Sequence, residues 1–216
     1  MASSRRAAHS STQLIQLPVV MQQTESHCGP AVLEMLLAYL HEQVSQDQIV
    51  EAARVRRRIA KHGARPAHLA RAVRELAPQY QFWMKEHTTK GDLETIVRKH
   101  HWPVAINWQG LFYNSIEEEK KKRRNRKKTD ADRGHYSVVV GVSRARNKIV
   151  IADPYGEYSK QPRQFSLGWF ERRWWDADCE KNPETGQEDE IKTHRLIFIV
   201  VPKDETFPEE LGMVRV

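Results

Sequence analysis

The chain has 216 residues and a formal net charge of +7, a length that suits one medium domain with a sizeable core. Its 39% hydrophobic and 29% charged content is typical of a soluble protein. The longest apolar runs are too short to span a membrane. Two cysteines cannot form a disulfide framework, and the residues before Cys28 do not resemble a signal peptide. We therefore expect a soluble, cytoplasmic protein.

Most of the positive charge lies in one run. Eight of the nine residues at 120–128 are basic, and subtracting them from +7 leaves the rest of the chain at −1. Such a run is typical of a solvated loop, of a patch that attracts nucleic acid or an acidic partner, or of a nuclear-localisation-like address. Since it directly precedes His135, it could also gate a cleft. The basic residues are Lys120, Lys121, Lys122, Arg123, Arg124, Arg126, Lys127 and Lys128.

Helical patterns dominate the first half of the chain. Gly29 to Leu40 carries apolar residues around most of a helical surface, which indicates a helix packed on several sides. Ser45 to Gln48 has the capping-box pattern of a second helix, which we expect to run to about Arg58. A third helix follows Pro66, and a short fourth helix opens at Gly91.

Strand patterns dominate the second half, apart from a short aromatic helix predicted within Phe165 to Trp175. A helical half followed by strands predicts an α+β fold, with the Cys28 helix packed on a C-terminal antiparallel sheet. The predicted strands are Tyr80 to Met84, Trp102 to Trp108, His135 to Val142, Lys148 to Asp153 and Leu196 to Val201.

Cys28 is a candidate nucleophile because it stands at the start of the first predicted helix. Unpaired backbone N–H groups and the positive end of the helix dipole favour an anion at that position. Six residues earlier, the amide of Gln22 could donate a hydrogen bond to a developing oxyanion, together with the backbone N–H of Cys28. Gln23 is adjacent and could serve instead.

His135 opens one predicted strand and Asp153 closes the next, so the two residues are candidates for an acid–base pair. If the hairpin turns about Arg146, Asp153 lies opposite Val139, four residues from His135. Four residues correspond to about 13 Å of strand. A triad therefore requires strong twist, a bulge near Gly141 or a different turn centre.

A cysteine at a helix start, followed by a histidine and an acid on paired strands, is the order of a papain-like thiol hydrolase. Four motifs occur in that order: Gln22 six residues before the cysteine, Cys28-Gly29-Pro30-Ala31, Gly134-His135-Tyr136 and Ala152-Asp153-Pro154. Over roughly residues 15 to 202 the chain resembles the bacteriocin-processing peptidases that cleave double-glycine leaders, as a stand-alone domain. His27 stands where those peptidases usually carry an acid.

The resemblance implies a papain-like cysteine peptidase acting on a peptide or protein substrate, without a cofactor or metal. Cys28 would attack as the thiolate, His135 would transfer the proton, Asp153 would orient His135, and Gln22 would stabilise the oxyanion. An amidase, deamidase, isopeptidase or acyl transferase would use the same site with another acceptor. A non-enzymatic binding module that uses the basic run is the second alternative.

The domain organisation follows from these patterns. Residues 1–14 are rich in Ser and Ala and lack acids, which predicts a disordered leader, although a weak organelle transit sequence has the same composition. Residues 15–202 form the predicted peptidase domain, with a charged loop inserted at about 109–134 because that stretch has little apolar content to bury. Residues 203–216 are predicted to be a C-terminal tail.

Overall fold

A computed structural model of the chain describes residues 14–110, 112, 134–181, 186 and 188–216. In this described part, seven strands form one antiparallel sheet in the order β5-β4-β3-β2-β8-β1-β9, and β6 pairs with β7 in a separate hairpin. The strands are β1 (Tyr80–Lys85), β2 (Val104–Gln109), β3 (Gly134–Ser143), β4 (Lys148–Ala152), β5 (Arg163–Ser166), β6 (Trp175–Lys181), β7 (Glu188–His194), β8 (Ile197–Pro202) and β9 (Val214–Arg215).

Two helices begin where the sequence places their N-terminal signals. Ser45 and Gln48 form the predicted capping box, and Pro66 occupies the first turn of its helix. The second helix ends at Ala52 rather than near Arg58, and a short third helix follows it. The helices are α1 (Cys28–Tyr39), α2 (Gln46–Ala52), α3 (Ile59–His62), α4 (Pro66–Leu76), α5 (Lys90–Glu94), α6 (Leu167–Glu171) and α7 (Phe207–Glu210), with a π turn at Thr95–Lys99 and a 3-10 turn at Gly156–Lys160.

Two hydrophobic clusters pack against the sheet. The first joins the buried face of α1, including Leu33 and Leu37, to α2, α4 and strand residues such as Phe198. The second joins other strand residues, such as Ile197, to α5, α6 and α7, and contains Trp108. Since Ile197 and Phe198 are consecutive in β8 and belong to different clusters, the clusters lie on opposite faces of the sheet. The α+β prediction is confirmed.

A bulge shortens the distance between His135 and Asp153. In the β3–β4 pair, Val139 pairs with Ile151 but Gly141 pairs with Val150, so Val140 is an extra residue on β3. The bulge therefore lies next to Gly141, one of the arrangements that a triad requires.

The turn between the two strands is also centred earlier than Arg146, because Ser143 pairs with Lys148. Together the earlier turn and the bulge bring Asp153, the residue after β4, next to Ser137 instead of Val139. Ser137 is two residues from His135, or about 7 Å of strand. The strand register therefore permits direct contact between His135 and Asp153.

The extended segment before α1 lies along β3 and ends beside the turn after β4. The N–H of Ile15 donates to the carbonyl of the bulge residue Val140 at 2.9 Å, and the N–H of Gln22 donates to the carbonyl of Pro154 at 2.9 Å. A Cβ on Gly141 would lie 2.5 Å from a methyl carbon of Leu14, so a larger residue there would require the Leu14 side chain to shift. Gln22 is thereby placed next to the Asp153 turn.

Several elements differ from the sequence expectations. The aromatic segment Phe165 to Trp175 contains not only α6 but also the end of β5 and the start of β6. Residues 203–216, predicted as a tail, carry α7 and the edge strand β9, which pairs with β1. The predicted leader, apart from Leu14, and the basic run lie outside the described residues.

Candidate active site

His135 bridges the predicted nucleophile and the predicted acid. Its Nε2 lies 2.8 Å from Oδ1 of Asp153, and the side chain of Cys28 is close enough to its ring to help raise the pKa of the imidazole. Because Nε2 faces the carboxylate, Nδ1 is the ring nitrogen left for the thiol. The structure thus brings together three side chains from distant parts of the sequence.

Close packing of α1 on β3 sets the distance between Cys28 and His135. Cys28 is the first residue of α1, and His135 is the second residue of β3. A Cβ on Gly29 would make ordinary van der Waals contacts, 3.5 Å from the ring of Tyr136 and 3.4 Å from Ala64. The start of α1 therefore packs directly against β3 next to His135.

Asp153 is held by three groups in a fully buried position. Its Oδ1 accepts hydrogen bonds from His135 and from the N–H of Tyr155, at 3.0 Å, while Oδ2 accepts from Nη1 of Arg163 at 2.5 Å. Burial alone would raise the pKa of this carboxyl, but His135, Arg163 and the Tyr155 N–H lower it to about 2. Asp153 is therefore a carboxylate at any physiological pH.

The charge of His135 depends on the same network. Burial alone would lower the pKa of His135, whose side chain is only 2% exposed. Asp153 and Cys28 outweigh this effect and raise the pKa to about 9. At neutral pH the imidazole is consequently protonated, as required for an ion pair with a cysteine thiolate.

Aromatic rings cover His135. The rings of Phe112 and His135 meet edge to face, with centroids 4.9 Å apart, and Tyr155 contacts both rings. A Cβ on Gly110 would lie 2.7 Å from the Cβ of His135, so this glycine lets the chain after β2 pass close to the imidazole. The cover limits water access to the hydrogen bond between His135 and Asp153.

Gln22 lies where the chain approaches α1. Its Nε2 donates to the carbonyl of Thr24 at 2.7 Å, which uses one of the two amide protons. Among the described residues, the buried Gln22 Oε1 has no hydrogen-bond partner. Within the described chain, the N-cap residue His27 makes no side-chain capping bond to α1, and Thr24 contacts its ring instead. The first N–H groups of α1 are thus not capped by His27.

Gln46 holds the segment that contains Gln22 in place through hydrogen bonds. The sequence did not predict this role. Its side chain is 4% exposed and bonds both neighbours of Gln22, accepting from the N–H of Gln23 and donating to the carbonyl of Met21. It also donates to Glu34 on α1. The capping-box pattern located Gln46 at the start of α2, but a contact with a segment more than twenty residues away leaves no local signal.

A pocket of about 320 Å³ opens beside Cys28. Small residues, among them Gly63, Ala64 and Gly134, form part of its lining, together with the ring of Tyr136. The buried carboxylate of Asp176 also lines it and packs so closely on Gly134 that a Cβ there would overlap it. The pocket has room for a substrate group next to the candidate nucleophile. Glu25, Ser26, Lys61, His62 and Ala177 complete the lining.

Neither a metal cluster nor a membrane-spanning helix occurs among the described residues. In that part of the chain, no group of three or more His, Cys, Asp or Glu side chains is arranged to hold a metal ion. The helices described here are all too short or too polar to cross a membrane.

Fold and site together define a cysteine-type peptidase with a papain-like fold. The chain belongs to the Peptidase_C39 like family, which it matches over residues 14–181. No curated protein sequence matches it. The predicted resemblance and the papain-like fold are confirmed.

Two solved structures are similar in fold, each at 18% sequence identity and a TM-score of 0.53. One is the peptidase domain of Streptococcus ComA, a bifunctional ABC transporter involved in a quorum sensing pathway; the match covers 87% of this chain and all of that domain. The other is a double glycine motif protease from an AMS/PCAT transporter in complex with the leader peptide, with 88% and 94% covered.

Proposed function

We propose that this chain hydrolyses a peptide bond through a triad of Cys28, His135 and Asp153. The observation that supports the proposal most strongly is the position of His135, which is 2.8 Å from a buried carboxylate and close enough to Cys28 for that side chain to help raise the pKa of the imidazole. A histidine with a purely structural role needs only one hydrogen-bond partner. An imidazole held between a thiol and a permanent anion is instead suited to moving protons.

The reaction begins with attack of the Cys28 thiolate on the carbonyl carbon of the scissile peptide bond. The backbone N–H of Cys28 and the second amide proton of Gln22 stabilise the negative charge on the carbonyl oxygen. Each such donor contributes about 3 kcal/mol in comparable enzymes. Protonated His135 then donates its proton to the leaving amine, and a thioester with Cys28 remains.

Hydrolysis of the thioester returns the enzyme to its starting state. Neutral His135 takes a proton from water, the resulting hydroxide attacks the thioester carbonyl, and the Cys28 thiolate leaves. Asp153 keeps its charge throughout, because its role is to orient the imidazole and to stabilise the imidazolium.

Peptides are the proposed substrates, and one structural neighbour suggests which peptides to try first. That neighbour is a double glycine motif protease bound to a leader peptide. We propose that a short, small-residue stretch of a longer peptide binds next to Cys28, where Gly63, Ala64 and Gly134 line the pocket. Leader-like peptides with Gly-Gly before the scissile bond, and matched Ala-Ala peptides, test this.

The experiment compares the purified chain with its Cys28→Ala variant on both peptide sets, with products identified by mass spectrometry. We expect two fragments whose masses sum to the peptide plus one water with the native chain, and none with Cys28→Ala. Cys179→Ala is the matched control and should cleave at the native rate. Cleavage that persists in Cys28→Ala would refute the proposal. Transfer of the acyl fragment to an added amine, without hydrolysis, would favour an acyl transferase.

A further inference from the structure

Arg163 is a buried arginine that the triad alone does not require. It lies on the edge strand β5 and is 6% exposed, opposite Ile151 on β4. Its guanidinium stacks on the ring of Tyr158, 3.7 Å from the centroid, and lies 5.2 Å from the centroid of Phe165. An apolar residue would fit such surroundings without the desolvation that a charge requires.

The guanidinium makes an ion pair with the carboxylate of the proposed triad. Its Nη1 donates to Oδ2 of Asp153, the oxygen that neither His135 nor the Tyr155 N–H contacts. A buried ion pair adds little net stability compared with well-packed apolar residues, so stability alone does not explain why this pair is present. Its position beside Asp153 suggests a role in the reaction.

We propose that Arg163 is a positioning residue, which holds Asp153 ionised and aimed at His135 and so extends the triad to a chain of four groups. The inference rests on the proposed function of Cys28, His135 and Asp153. Oδ1 faces the imidazole and Oδ2 faces the guanidinium, and the two contacts together fix the plane of the carboxylate. Arg163 does not line the pocket beside Cys28, so it acts on the substrate only through Asp153.

The groups that surround Asp153 determine the expected pH effect. His135 faces it from β3, with Cys28 of α1 beyond the imidazole, while Arg163 faces it from β5 and Tyr158 packs on the far side of the guanidinium. An arginine next to an aspartate lowers the pKa of the carboxyl by about 1 to 3 units. Without the guanidinium, Asp153 takes up a proton at higher pH, and His135 then loses the anion that keeps it protonated.

The test measures the rate of Cys28 alkylation by iodoacetamide against pH in the full chain, with the adduct located by mass spectrometry. No substrate is needed. In Arg163→Met we expect the acid limb of the profile to move up by about one pH unit, which is about a tenfold slower reaction at a fixed pH on that limb. Arg163→Lys retains the positive charge and should restore the native midpoint.

Arg144→Met is the matched control, because Arg144 also pairs with a carboxylate, that of Glu94, but is exposed and distant from the site. Its profile should coincide with that of the native chain. The midpoint does not depend on the folded fraction if that fraction is constant across the limb, which circular dichroism at each pH checks. A poorly folding Arg163→Met therefore still gives an answer over the range in which its folded fraction is constant.

Two results would overturn the inference while the proposed function stands: a native midpoint in Arg163→Met with only lower amplitude, or an equal shift in Arg163→Met and Arg163→Lys. A third result would overturn both. That result is alkylation of native Cys28 that is slow and unchanged by His135→Ala, because there would then be no ion pair for Arg163 to support.

Discussion

The two sides of the site are built differently. On the strand side, His135 and Asp153 are buried, ion-paired and covered by aromatic rings. On the helix side, Cys28 is partly exposed, and the backbone N–H groups of Gln22 and Gln23 donate to the Pro154 carbonyl and to the Gln46 side chain. In the proposed mechanism the strand side sets the charge state of the imidazole, whereas the helix side supplies the partly exposed Cys28.

This contrast suggests that stability and catalysis can be separated by mutation. Changes on the strand side leave a charge buried without its partner, which destabilises the fold as well as the site. Gln22→Ala removes the proposed oxyanion donor without leaving a buried charge unpaired.

The largest effect on stability is expected for Asp153→Asn, which leaves the guanidinium of Arg163 without its carboxylate. Removing one partner of a buried pair costs about 3–5 kcal/mol, and the side chains of this pair are 0% and 5% exposed. We expect a loss of that size in the free energy of unfolding from urea titration. Activity should also fall, since a neutral amide at this position cannot support a protonated His135.

Glu94→Gln is the control for that comparison. Glu94 pairs with Arg144 and Arg98, whose side chains are 60% and 49% exposed. Exposed pairs contribute at most about 1 kcal/mol. If Asp153→Asn and Glu94→Gln lost equal free energy of unfolding, the buried ion pair on the strand side would be no more important to stability than an exposed pair.

On the helix side, Gln22→Ala should reduce the rate of peptide cleavage by about 10²–10³-fold, the effect of removing one oxyanion donor. Its free energy of unfolding should change by less than about 1 kcal/mol, because the lost bond to Thr24 is offset by removal of the unpartnered Oε1. Gln23→Ala is the matched control, since Gln23 contacts Gln46 through its backbone N–H. A larger loss of activity in Gln23→Ala would show that the oxyanion role had been assigned to the wrong glutamine.

The smallest expected effect is a gradual loss of activity and stability as the pH becomes alkaline. The pKa of His135 is raised from its ordinary 6.5 to about 9, so the imidazolium, and the stability it contributes, are fully present below pH 6.5 and lost as pH rises through about 9. Activity limited by proton donation should halve near the same pH. A decline centred near the ordinary histidine pKa would contradict the pairing with Asp153.

The sequence pointed to candidate site residues more readily than to their arrangement in space. His135 and Asp153 were identifiable because each lies at the end of a β-rich run, and Cys28 because it starts an apolar helix. The register between the strands was not predictable, because it depends on a turn centred earlier than Arg146 and on the bulge at Val140. A run of valines contains no unambiguous local pattern that predicts either the turn centre or the bulge.

Long-range partners were missed for a similar reason. Arg163 and Gln46 are polar residues in segments whose local patterns predict only strand or helix, and their contacts cross between elements. The β6 and β7 hairpin was missed because both strands are rich in charged residues and lack the apolar alternation of a core strand. Local patterns carry little information about which buried partner a polar group will find.

Iodoacetamide labelling near pH 6 tests the central claim most directly, with adducts located by mass spectrometry in the native chain and in His135→Ala. If Cys28 is a thiolate paired with protonated His135, it should be labelled much faster than Cys179, and His135→Ala should remove that advantage. Equal, slow labelling of Cys28 and Cys179 in both proteins would contradict the account and leave Cys28 as a structural cysteine.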